Sequence, residues 1–576
     1  MSNNRTSISD RTPSHRQLHG EPDKQHNHEQ MNAMTKSNKH SSQNHHLSSH
    51  EDCDIIGEII GKYGKYQFFM TFLLSLFQIP NTFHISSPIY QAADKHFWCK
   101  RPDNLSHIDI NVWRNLSGLK SCSISKHNWN QITNTHMLEA LVQNTTDPIK
   151  CTEWEFDMAD NLGNTWTSQW SLVCDSEYLK NVAEMFFLVG VASGGIISGY
   201  LSDKFGRRTM LFWSVIFQTI FGIVLYIPLS FRVHLALRGL LGLVSVSVTY
   251  AGLILAIEFV DGKWRTIAGM YNLFPLPVSY MLISGIAYLT QDFRVLQLCI
   301  AIPGIFLCFL WFVIPESPRW LLCKGRTAEV ATIIRKICAV NKRECPPNVE
   351  KLLKPPPSAD KTNDGCISLF GNSYLRLITI CFPLIWFTIN LVYYGLILNM
   401  NSFDGNVYLN SALAGLVELP AIGIAIIIIM WVGKKWILFS TMFCAGVSCL
   451  CITFIGNNSS IQWLKITFLM LGKFTISAGN TVMPVYTAEL YPTAIRNAGV
   501  GACNMAAGVA LIIVPYLSLL DQYYLMLLVA LFSMFGSLVV ICLPESMPHN
   551  AIKRTSNASQ HSGEEQHEER AYVFSA

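Results

Sequence analysis

Charged side chains are scarce in this sequence. Only 14% of its 576 residues are Asp, Glu, Lys or Arg, whereas 50% are hydrophobic and 11% are aromatic. A typical soluble domain has about 25% charged residues, so the composition excludes a string of soluble domains and indicates a polytopic membrane protein. The formal net charge of +4 is too small to indicate a nucleic-acid partner.

Signatures of catalysis and of metal binding are also lacking. No cluster of nucleophile, base and orienting residue emerges, so we expect neither an enzyme nor a cofactor. The N-terminal segment 1–60 contains several histidines, but their irregular spacing, without a cysteine or carboxylate cluster, argues against a metal site. No apolar stretch follows a basic patch at the N-terminus, so we expect no cleaved signal peptide.

The sequence is instead rich in apolar runs. About twenty residues at roughly 1.5 Å each cross a hydrocarbon core of about 30 Å, and runs of this length recur throughout the chain. They number twelve and occupy residues 68–90, 182–201, 210–229, 233–258, 267–289, 295–314, 375–398, 407–432, 436–455, 463–487, 497–519 and 523–543. The sequence therefore predicts an all-α polytopic membrane protein with twelve transmembrane helices.

A charged, proline-containing segment separates the sixth run from the seventh. The predicted organisation is a disordered cytoplasmic tail (1–60), a six-helix bundle (61–314), a cytoplasmic central loop (315–373), a second six-helix bundle (374–543) and a cytoplasmic tail (544–576). The tails are too polar to bury a core of their own.

A polar insertion of about ninety residues, 91–180, follows the first run. It contains four cysteines, Cys99, Cys122, Cys151 and Cys174. It also contains three glycosylation sequons, at Asn104, Asn115 and Asn144. Sequons have meaning only in the secretory lumen, and four cysteines in so small a loop indicate two disulfides, with three pairings open. We therefore expect an extracellular loop in a protein of the plasma membrane.

Basic residues fall in alternate short connections, on the side of the central segment. They are Lys204, Arg207, Arg208, Lys263, Arg265, Lys434, Lys435 and Arg496. Because positive charge marks cytoplasmic loops, both termini are predicted to be cytoplasmic.

The two halves of the chain repeat the same landmarks. Glu258 and Arg265 of the first half are seven residues apart, as are Glu489 and Arg496 of the second. The tripeptide Pro-Glu-Ser at 315–317 recurs at 544–546, so both landmarks are shifted by nearly the same distance along the chain. The shared shift indicates an internal duplication of a six-helix unit, and because six is even the two halves are parallel.

A polar, basic turn, GYLSDKFGRRT, lies between the second and third runs. Gly206 lets the backbone close this turn, and Asp203 is placed to cap a helix or to pair with Arg207 and Arg208. These charges cannot lie in hydrocarbon without heavy cost, so we predict a water-facing hairpin.

Together these features resemble the major facilitator superfamily and, more narrowly, the organic cation, organic anion and carnitine transporters of solute carrier family 22. The resemblance rests on the turn and the cysteine-bearing loop, with PESPRWLL at 315–322, WFT at 386–388 and YTAELYPTAIRNAGVG at 486–501. It covers about residues 55–548. It implies a substrate cavity at mid-membrane between the halves, opened to each side in turn.

The resemblance also implies an inner gate, closed when the charges of the turn pair with neighbouring helix ends. The implied gating residues are Asp203, Gly206, Arg207, Arg208, Glu258, Arg265, Glu316, Arg319, Glu489 and Arg496. The alternative is that these charges only anchor loops at the membrane surface. Anchoring needs bases alone, whereas acids and bases alternate here at equivalent places in both halves. The second copy of the turn has Met430 where an acid would match Asp203, so the gate is predicted to be asymmetric.

Four ionisable residues stand out within the apolar runs, where each needs a partner or a wet cavity. They are Glu184, Arg238, Glu418 and Lys473. We predict that Glu418 is a counter-charge for a cationic group or part of a switching network, and that Lys473 pairs with it or serves function directly. Glu184 and Arg238 lie near helix starts, where a structural role is equally expected.

The seventh run adds aromatic side chains, whose faces bind organic ammonium groups. Trp386, Asn390 and Tyr393 share one helical face, and Tyr394 follows. These four residues and Glu418 form the predicted substrate site. Weaker candidates are Tyr250, Tyr271 and Asn272.

Two positions depart from the family pattern. Where the resemblance implies an Asp in cation carriers or an Arg in anion carriers, this chain has Gly508, and where anion carriers have a Lys it has Ile422. The missing bases favour cations or carnitine-like zwitterions, although the missing Asp leaves the substrate charge open. We predict a secondary transporter of small organic ions that works by alternating access, with the lipid bilayer and, in some coupling modes, a co-transported ion as further partners. The alternatives are an organic anion or sugar transporter of the same superfamily and, in another class, a non-transporting receptor or scaffold.

Overall fold

The computed structural model describes most of the chain between residues 56 and 545. The described residues are 56–57, 59–61, 63–101, 109, 122–125, 148–156, 163–227, 230–353, 370, 373–398, 406–429, 431–455, 462–491, 496–517 and 519–545. The predicted sequons at Asn104, Asn115 and Asn144 lie outside this set, as do Met430 and most of both tails.

Twelve helical spans, numbered 1 to 12 in chain order, run through the described residues. Span 1 consists of Lys65–Ser75, Gln78–Ser86 and Pro88–Gln91, span 5 of Lys263–Tyr271 and Pro275–Thr290, and span 6 of Phe293–Cys308 with the 3-10 turn Phe309–Phe312. The other nine are Leu179–Phe205 (span 2), Arg207–Val224 (span 3), Phe231–Glu258 (span 4), Ser373–Leu398 (span 7), Val407–Ile428 (span 8), Lys434–Phe454 (span 9), Gln462–Leu490 (span 10), Arg496–Leu517 (span 11) and Gln522–Ile541 (span 12). The predicted all-α membrane fold is confirmed.

Most spans are apolar enough to cross a membrane on their own. Within the described residues nine helices have the necessary length and composition, and span 2 adds a tenth if its two bent pieces count as one. Spans 3 and 10 complete the twelve. Span 3 has only 18 residues and begins with Arg207 and Arg208, and span 10 carries Lys465, Lys473 and Glu489. Of these charges, Arg207, Arg208 and Glu489 are among the residues that the family resemblance implies for the inner gate.

The two six-span halves share one core. Span 5 packs against span 8, and span 2 packs against span 11. A continuous cluster of buried side chains includes Tyr90 and Tyr280 from the first half and Trp386, Tyr393 and Met442 from the second. The middle of the molecule is therefore built from both halves.

The loop between spans 1 and 2 contains two short antiparallel sheets. Phe97–Cys99 pairs with Trp154–Phe156, and Ser123–Ser125 pairs with Pro148–Lys150. Disulfides join Cys99 to Cys151 and Cys122 to Cys174, which selects one of the three pairings that the sequence left open. Strands of three residues are too short to show an alternating pattern, so the sequence did not predict them.

A short helix of this loop, Trp166–Trp170, fastens it to the first half. Trp166 is completely buried, and its ring meets the His234 ring of span 4 at 5.0 Å between centroids. At the start of span 6, the Phe293 N–H donates to the Asn164 carbonyl at 3.0 Å. The described end of the loop around Trp166 is therefore packed against the first half.

The central segment after span 6 is partly helical. Its helices are Pro318–Cys323, Thr327–Asn341 and Val349–Leu352. Asn341 ties the middle one to the start of span 1, because its Oδ1 accepts from the Tyr66 N–H at 3.0 Å and its Nδ2 donates to Gln67 Oε1 at 2.8 Å. The sequence prediction treated this segment as a loop and missed the helices.

Candidate functional site

Among the residues that the structure describes, each half contains one ion pair buried in the membrane region. In the second half, Lys473 Nζ of span 10 lies 3.2 Å from Glu418 Oε2 of span 8. In the first half, Arg238 Nη2 of span 4 lies 2.6 Å from Glu184 Oε2 of span 2. The separation along the chain between the two acids nearly equals that between the two bases, and both are close to the shift of the internal repeat. The pairs are therefore equivalent positions of the duplicated unit, and pairing is the arrangement that makes such buried charges tolerable.

The Glu418–Lys473 pair is enclosed by tyrosines. Lys473 Nζ lies 3.4 Å from the centroid of the Tyr393 ring and 5.6 Å from that of Tyr280. The Tyr393 hydroxyl donates to Glu418 Oε1 at 2.8 Å. A carboxylate and aromatic faces are thus gathered around one ammonium group, which is the arrangement that recognises an organic cation. We call Glu418, Lys473, Tyr393 and Tyr280 the tyrosine cluster.

Directional hydrogen bonds do not hold the lysine of this cluster. Glu418 is 2% exposed and Lys473 is 0% exposed, yet among the described residues neither Lys473 Nζ nor Glu418 Oε2 has a hydrogen-bond partner of good geometry. Charge and the ring of Tyr393 keep the ammonium in place. Such a contact restrains the position of the lysine less than an aligned hydrogen bond would.

The first-half pair is held more firmly. Arg238 Nη2 donates to Glu184 at 2.6 Å, and Nη1 donates to the backbone carbonyl of His84 at 3.5 Å. The guanidinium also lies 4.7 Å from the ring of Phe187 and 5.1 Å from that of Trp166 in the loop. Arg238 therefore links spans 1, 2 and 4 and supports the loop above them.

The structure brings together some of the residues predicted to bind substrate. Glu418 and Tyr393 are in contact, and the Tyr394 ring lies 5.2 Å from that of Tyr393. Trp386 and Asn390 are placed differently: Trp386 Nε1 donates to Thr487 Oγ1 at 3.0 Å, and Asn390 Nδ2 donates to the Trp386 carbonyl at 2.9 Å. Those contacts join span 7 to span 10 and stabilise span 7 itself.

Several tyrosines of the interface between the halves were weak candidates or were missed. Tyr250 of span 4 donates to Asn504 Oδ1 of span 11 at 2.5 Å. Tyr90 of span 1 stacks on Tyr408 of span 8, with centroids 5.6 Å apart and planes 4° from parallel. Tyr280 belongs to span 5 and lies beside Lys473 of the other half. A single sequence gives no signal for these pairs, because they depend on how the helices are rotated against each other.

A close approach of two helices accounts for one departure from the family pattern. A Cβ atom at Gly508 of span 11 would lie only 2.7 Å from the Cβ of Ala192 of span 2. No side chain fits there unless the halves move apart, so the charge that the resemblance implies at this position is excluded by packing. Among the described residues, the buried ion pairs in the middle of the membrane region come from spans 2 and 4 and from spans 8 and 10.

The predicted gate turn pairs within its own half. Arg207 Nη2 lies 2.7 Å from Asp203 Oδ1, and Arg207 Nε lies 3.3 Å from Glu258 Oε2 at the end of span 4. Glu316 Oε1 accepts from the backbone N–H of Arg208 at 2.9 Å. The turn thus joins the ends of spans 2, 4 and 6. We call these residues the first-turn network.

Gly206 is required in this network. Its φ is +104°, a conformation that side chains with a Cβ rarely adopt, and a Cβ there would overlap the carboxylate of Glu316. The glutamate therefore packs against bare backbone, where its oxygen reaches the start of span 3.

Asp261 is a residue that the sequence prediction missed. Arg265 Nη2 lies 3.1 Å from Asp261 Oδ1, and Arg319 Nη2 lies 3.0 Å from the same atom. The carboxylate therefore joins the start of span 5 to the central segment. Asp261 precedes the helix Lys263–Tyr271, so the available signal was an acid close in sequence to Arg265 rather than a helical spacing.

The second-half turn repeats part of this arrangement. Lys434, the counterpart of Arg207, forms an ion pair with Glu489, the counterpart of Glu258. Glu545 lies beside Gly433, as Glu316 lies beside Gly206. The side chain of Arg496 lies outside the described residues. Among the described residues, every ion pair at this end of the molecule joins residues of one half or of the adjoining central segment.

Comparison with known proteins gives consistent relatives. The family model described as sugar (and other) transporter matches residues 116–555. The organic cation transporter protein of Drosophila melanogaster is 31% identical over 504 residues, covering 85% of this chain and 91% of that protein. Solute carrier family 22 member 4 of Mus musculus is 31% identical over 518 residues, with 85% and 90% covered. Organic cation/carnitine transporter 2 of Homo sapiens is 29% identical over 517 residues, with 86% and 92% covered.

Solved structures share the fold at low sequence identity. The proton:xylose symporter XylE bound to 6-bromo-6-deoxy-D-glucose superposes with a TM-score of 0.58 at 16% identity, covering 84% of this chain and 98% of that one. The partially occluded inward open form of XylE from E. coli gives a TM-score of 0.57 at 14% identity, with the same coverage. At such identity the likeness concerns the fold alone.

Proposed function

The chain belongs to solute carrier family 22 of the major facilitator superfamily, and we propose that it carries small organic cations or carnitine-like zwitterions across the plasma membrane by alternating access. The observation that carries the choice of substrate is the contact between Glu418 and Tyr393. An acid and an aromatic face share one buried position close to the other half of the molecule. An ammonium group gains from both when it leaves water.

Relatives support the same substrate class. The matched proteins from Drosophila melanogaster and Homo sapiens are named as organic cation and organic cation/carnitine transporters. The tyrosine cluster contains both signs of charge, Glu418 and Lys473. A carnitine-like zwitterion carries the same ammonium group as an organic cation, and the human relative's name keeps such compounds among the candidates.

The orientation follows from the chemistry of the loops. The disulfides Cys99–Cys151 and Cys122–Cys174 are expected to persist only in an oxidising compartment. The loop between spans 1 and 2 therefore faces outward, and the first-turn network, at the opposite end of span 2, faces the cytoplasm. Both termini are then cytoplasmic, as the basic connections predict.

The first-turn network serves as a cytoplasmic gate element in this proposal. It fastens the inner ends of spans 2, 4 and 6 through Arg207, Glu258 and Glu316, so that the first half moves as one body. The corresponding pair Lys434–Glu489 fastens spans 9 and 10 in the second half. To close the inner end, these two sets of helix ends must come into contact. Asp203 contributes an acid to that contact from the first turn, and the second turn has no equivalent acid.

Uptake of radiolabelled compounds into cells expressing the full chain tests the function. Tetraethylammonium, carnitine and p-aminohippurate represent a cation, a zwitterion and an anion, each measured with and without sodium. We expect uptake of the first or second and none of the third. Uptake of p-aminohippurate alone would overturn the cation and zwitterion assignment, and no uptake of any despite surface expression would favour a receptor.

A further inference from the structure

We propose that Lys473 is a built-in substitute for the substrate: its ammonium fills the cation position when the carrier is empty, so that the empty carrier can change its orientation in the membrane. The inference rests on the proposed transport of cations and concerns how the same site completes its cycle. It assigns to Lys473 the role of a positioning residue for the return step.

The position of the ammonium is the first argument. Lys473 Nζ lies 3.2 Å from Glu418 Oε2 and 3.4 Å from the centroid of the Tyr393 ring. A carboxylate and a tyrosine face are the two groups that an organic ammonium would seek. Lys473 already holds both, so a cationic substrate and Lys473 cannot occupy the position together.

The manner of attachment is the second argument. Among the described residues Lys473 Nζ has no aligned hydrogen-bond acceptor, and a lysine side chain has a flexible four-carbon stem. The equivalent base of the first half, Arg238, donates to both Glu184 and the His84 carbonyl. The second-half base is the one that can withdraw when a competing cation arrives.

The cost of a bare charge is the third argument. Glu418 is 2% exposed and lies in span 8, far from water. A carboxylate in such a place is strongly disfavoured unless a cation accompanies it. The site is neutral with the Lys473 ammonium in place. With a substrate cation in place it is neutral once the displaced Lys473 amine has released its proton to the water that admitted the substrate, and only neutral sites cross the closed intermediate easily.

A distinct kinetic behaviour follows from this exclusion. With Lys473 present, the carrier returns empty and accumulates net substrate. Without the lysine, Glu418 needs a substrate ammonium for every crossing in either direction. The carrier would then exchange one cation for another across the membrane but would perform little net uptake.

The test separates net uptake from exchange in a Lys473→Gln variant. Tetraethylammonium uptake is measured in cells that contain none and in cells preloaded with the unlabelled compound, and each rate is divided by the amount of surface protein. We expect net uptake to fall by about tenfold or more while exchange stays within about threefold of wild type. Lys336→Gln is the matched control, because Lys336 is an exposed lysine of the helix Thr327–Asn341, and it should leave both rates unchanged.

A second variant covers the case in which Lys473→Gln fails to reach the surface. Lys473→Arg keeps the charge but adds a planar group that binds carboxylates through aligned hydrogen bonds. We expect the KM for tetraethylammonium to rise by about tenfold, because the substrate must displace a more tightly held competitor. A purely structural base would leave this KM unchanged.

The outcomes distinguish this inference from the proposed function. If wild type takes up no tetraethylammonium and no carnitine, the proposed function fails. If wild type transports but both rates of Lys473→Gln fall together at normal surface abundance, or neither falls, the substitute role is wrong. A Lys473→Arg variant with wild-type KM would also overturn it.

Discussion

The two buried ion pairs occupy equivalent places in the two halves but are held in different ways. Arg238 makes aligned hydrogen bonds and lies beneath a tryptophan of the loop, whereas Lys473 rests on a tyrosine ring without an aligned acceptor among the described residues. Both halves of the duplicated unit therefore pair a buried acid with a buried base. In the first half the pair holds helices together, and in the second half the base can be displaced.

The largest effect is expected when the first-half pair is broken. Arg238→Gln leaves the carboxylate of Glu184 buried without a partner and removes the contact with Trp166. We expect a loss of about 3–5 kcal/mol in the free energy of unfolding and little protein at the cell surface. Thermal unfolding of the solubilised protein and surface biotinylation measure both.

A double variant provides the control for that prediction. Glu184→Gln combined with Arg238→Gln leaves no unpaired charge, so much of the lost stability should return. If Arg238→Gln alone is as stable as wild type, the first-half pair does not hold these helices together.

The second-half acid is expected to affect transport as well as stability, because Glu418→Gln leaves Lys473 buried without its counter-charge. Glu418→Gln removes the charge that attracts a cation but keeps a side chain of the same shape beside Tyr393. We expect tetraethylammonium uptake per surface molecule to fall by about tenfold or more. Glu350→Gln, which changes an exposed acid of the central segment, is the control, and full cation uptake by Glu418→Gln would remove the proposed counter-charge.

A smaller effect is expected where the halves touch. Gly508→Ala places a Cβ 2.7 Å from the Cβ of Ala192 and should cost about 1–3 kcal/mol in the closely packed state. Gly501 lies in the same helix with nothing within 4 Å of its Cβ position, so Gly501→Ala should be neutral or slightly stabilising. Thermal unfolding of the two variants compares them, and equal stabilities would contradict the close approach.

The smallest effect on stability is expected in the first-turn network. Asp203 pairs with Arg207 at 2.7 Å, but its side chain is 60% exposed, so Asp203→Asn should change the free energy of unfolding by less than about 1 kcal/mol. Its uptake rate should nevertheless fall more than that of Lys435→Gln in the second turn, because the second turn has no equivalent acid. Equal uptake rates of the two variants would contradict an asymmetric gate.

The span pattern could be predicted because membrane thickness fixes it. A helix must be about twenty residues long to cross the hydrocarbon core, so the apolar runs predict the spans to within a few residues: run 233–258 corresponds to Phe231–Glu258 and run 407–432 to Val407–Ile428. The duplicated landmarks at Glu258 and Glu489 likewise correspond to equivalent ion pairs.

The sequence predicted contacts between helices only for charged residues, because a charge buried in the membrane needs a partner. The pairing of Lys473 with Glu418 was one of the two alternatives that the sequence left open, because neither charge can stay alone in the membrane. Tyr280 and Tyr408 are uncharged and need no such partner. An aromatic residue on a membrane helix can equally well pack in the core, lie at the membrane surface or contact a ligand. Their places depend on the rotation of each helix about its axis, which one sequence does not determine.

The attachment of the loop gives the molecule a natural reference frame for spectroscopy. Because Trp166 and Asn164 bind the loop to spans 4 and 6, a fluorophore at the exposed Lys150 of the loop should keep a constant distance from the adjoining ends of these two spans. Its distance to a second fluorophore at Trp463, at the start of span 10, should change each time the two halves move relative to each other. Energy transfer between these two labels would then count transport cycles one molecule at a time.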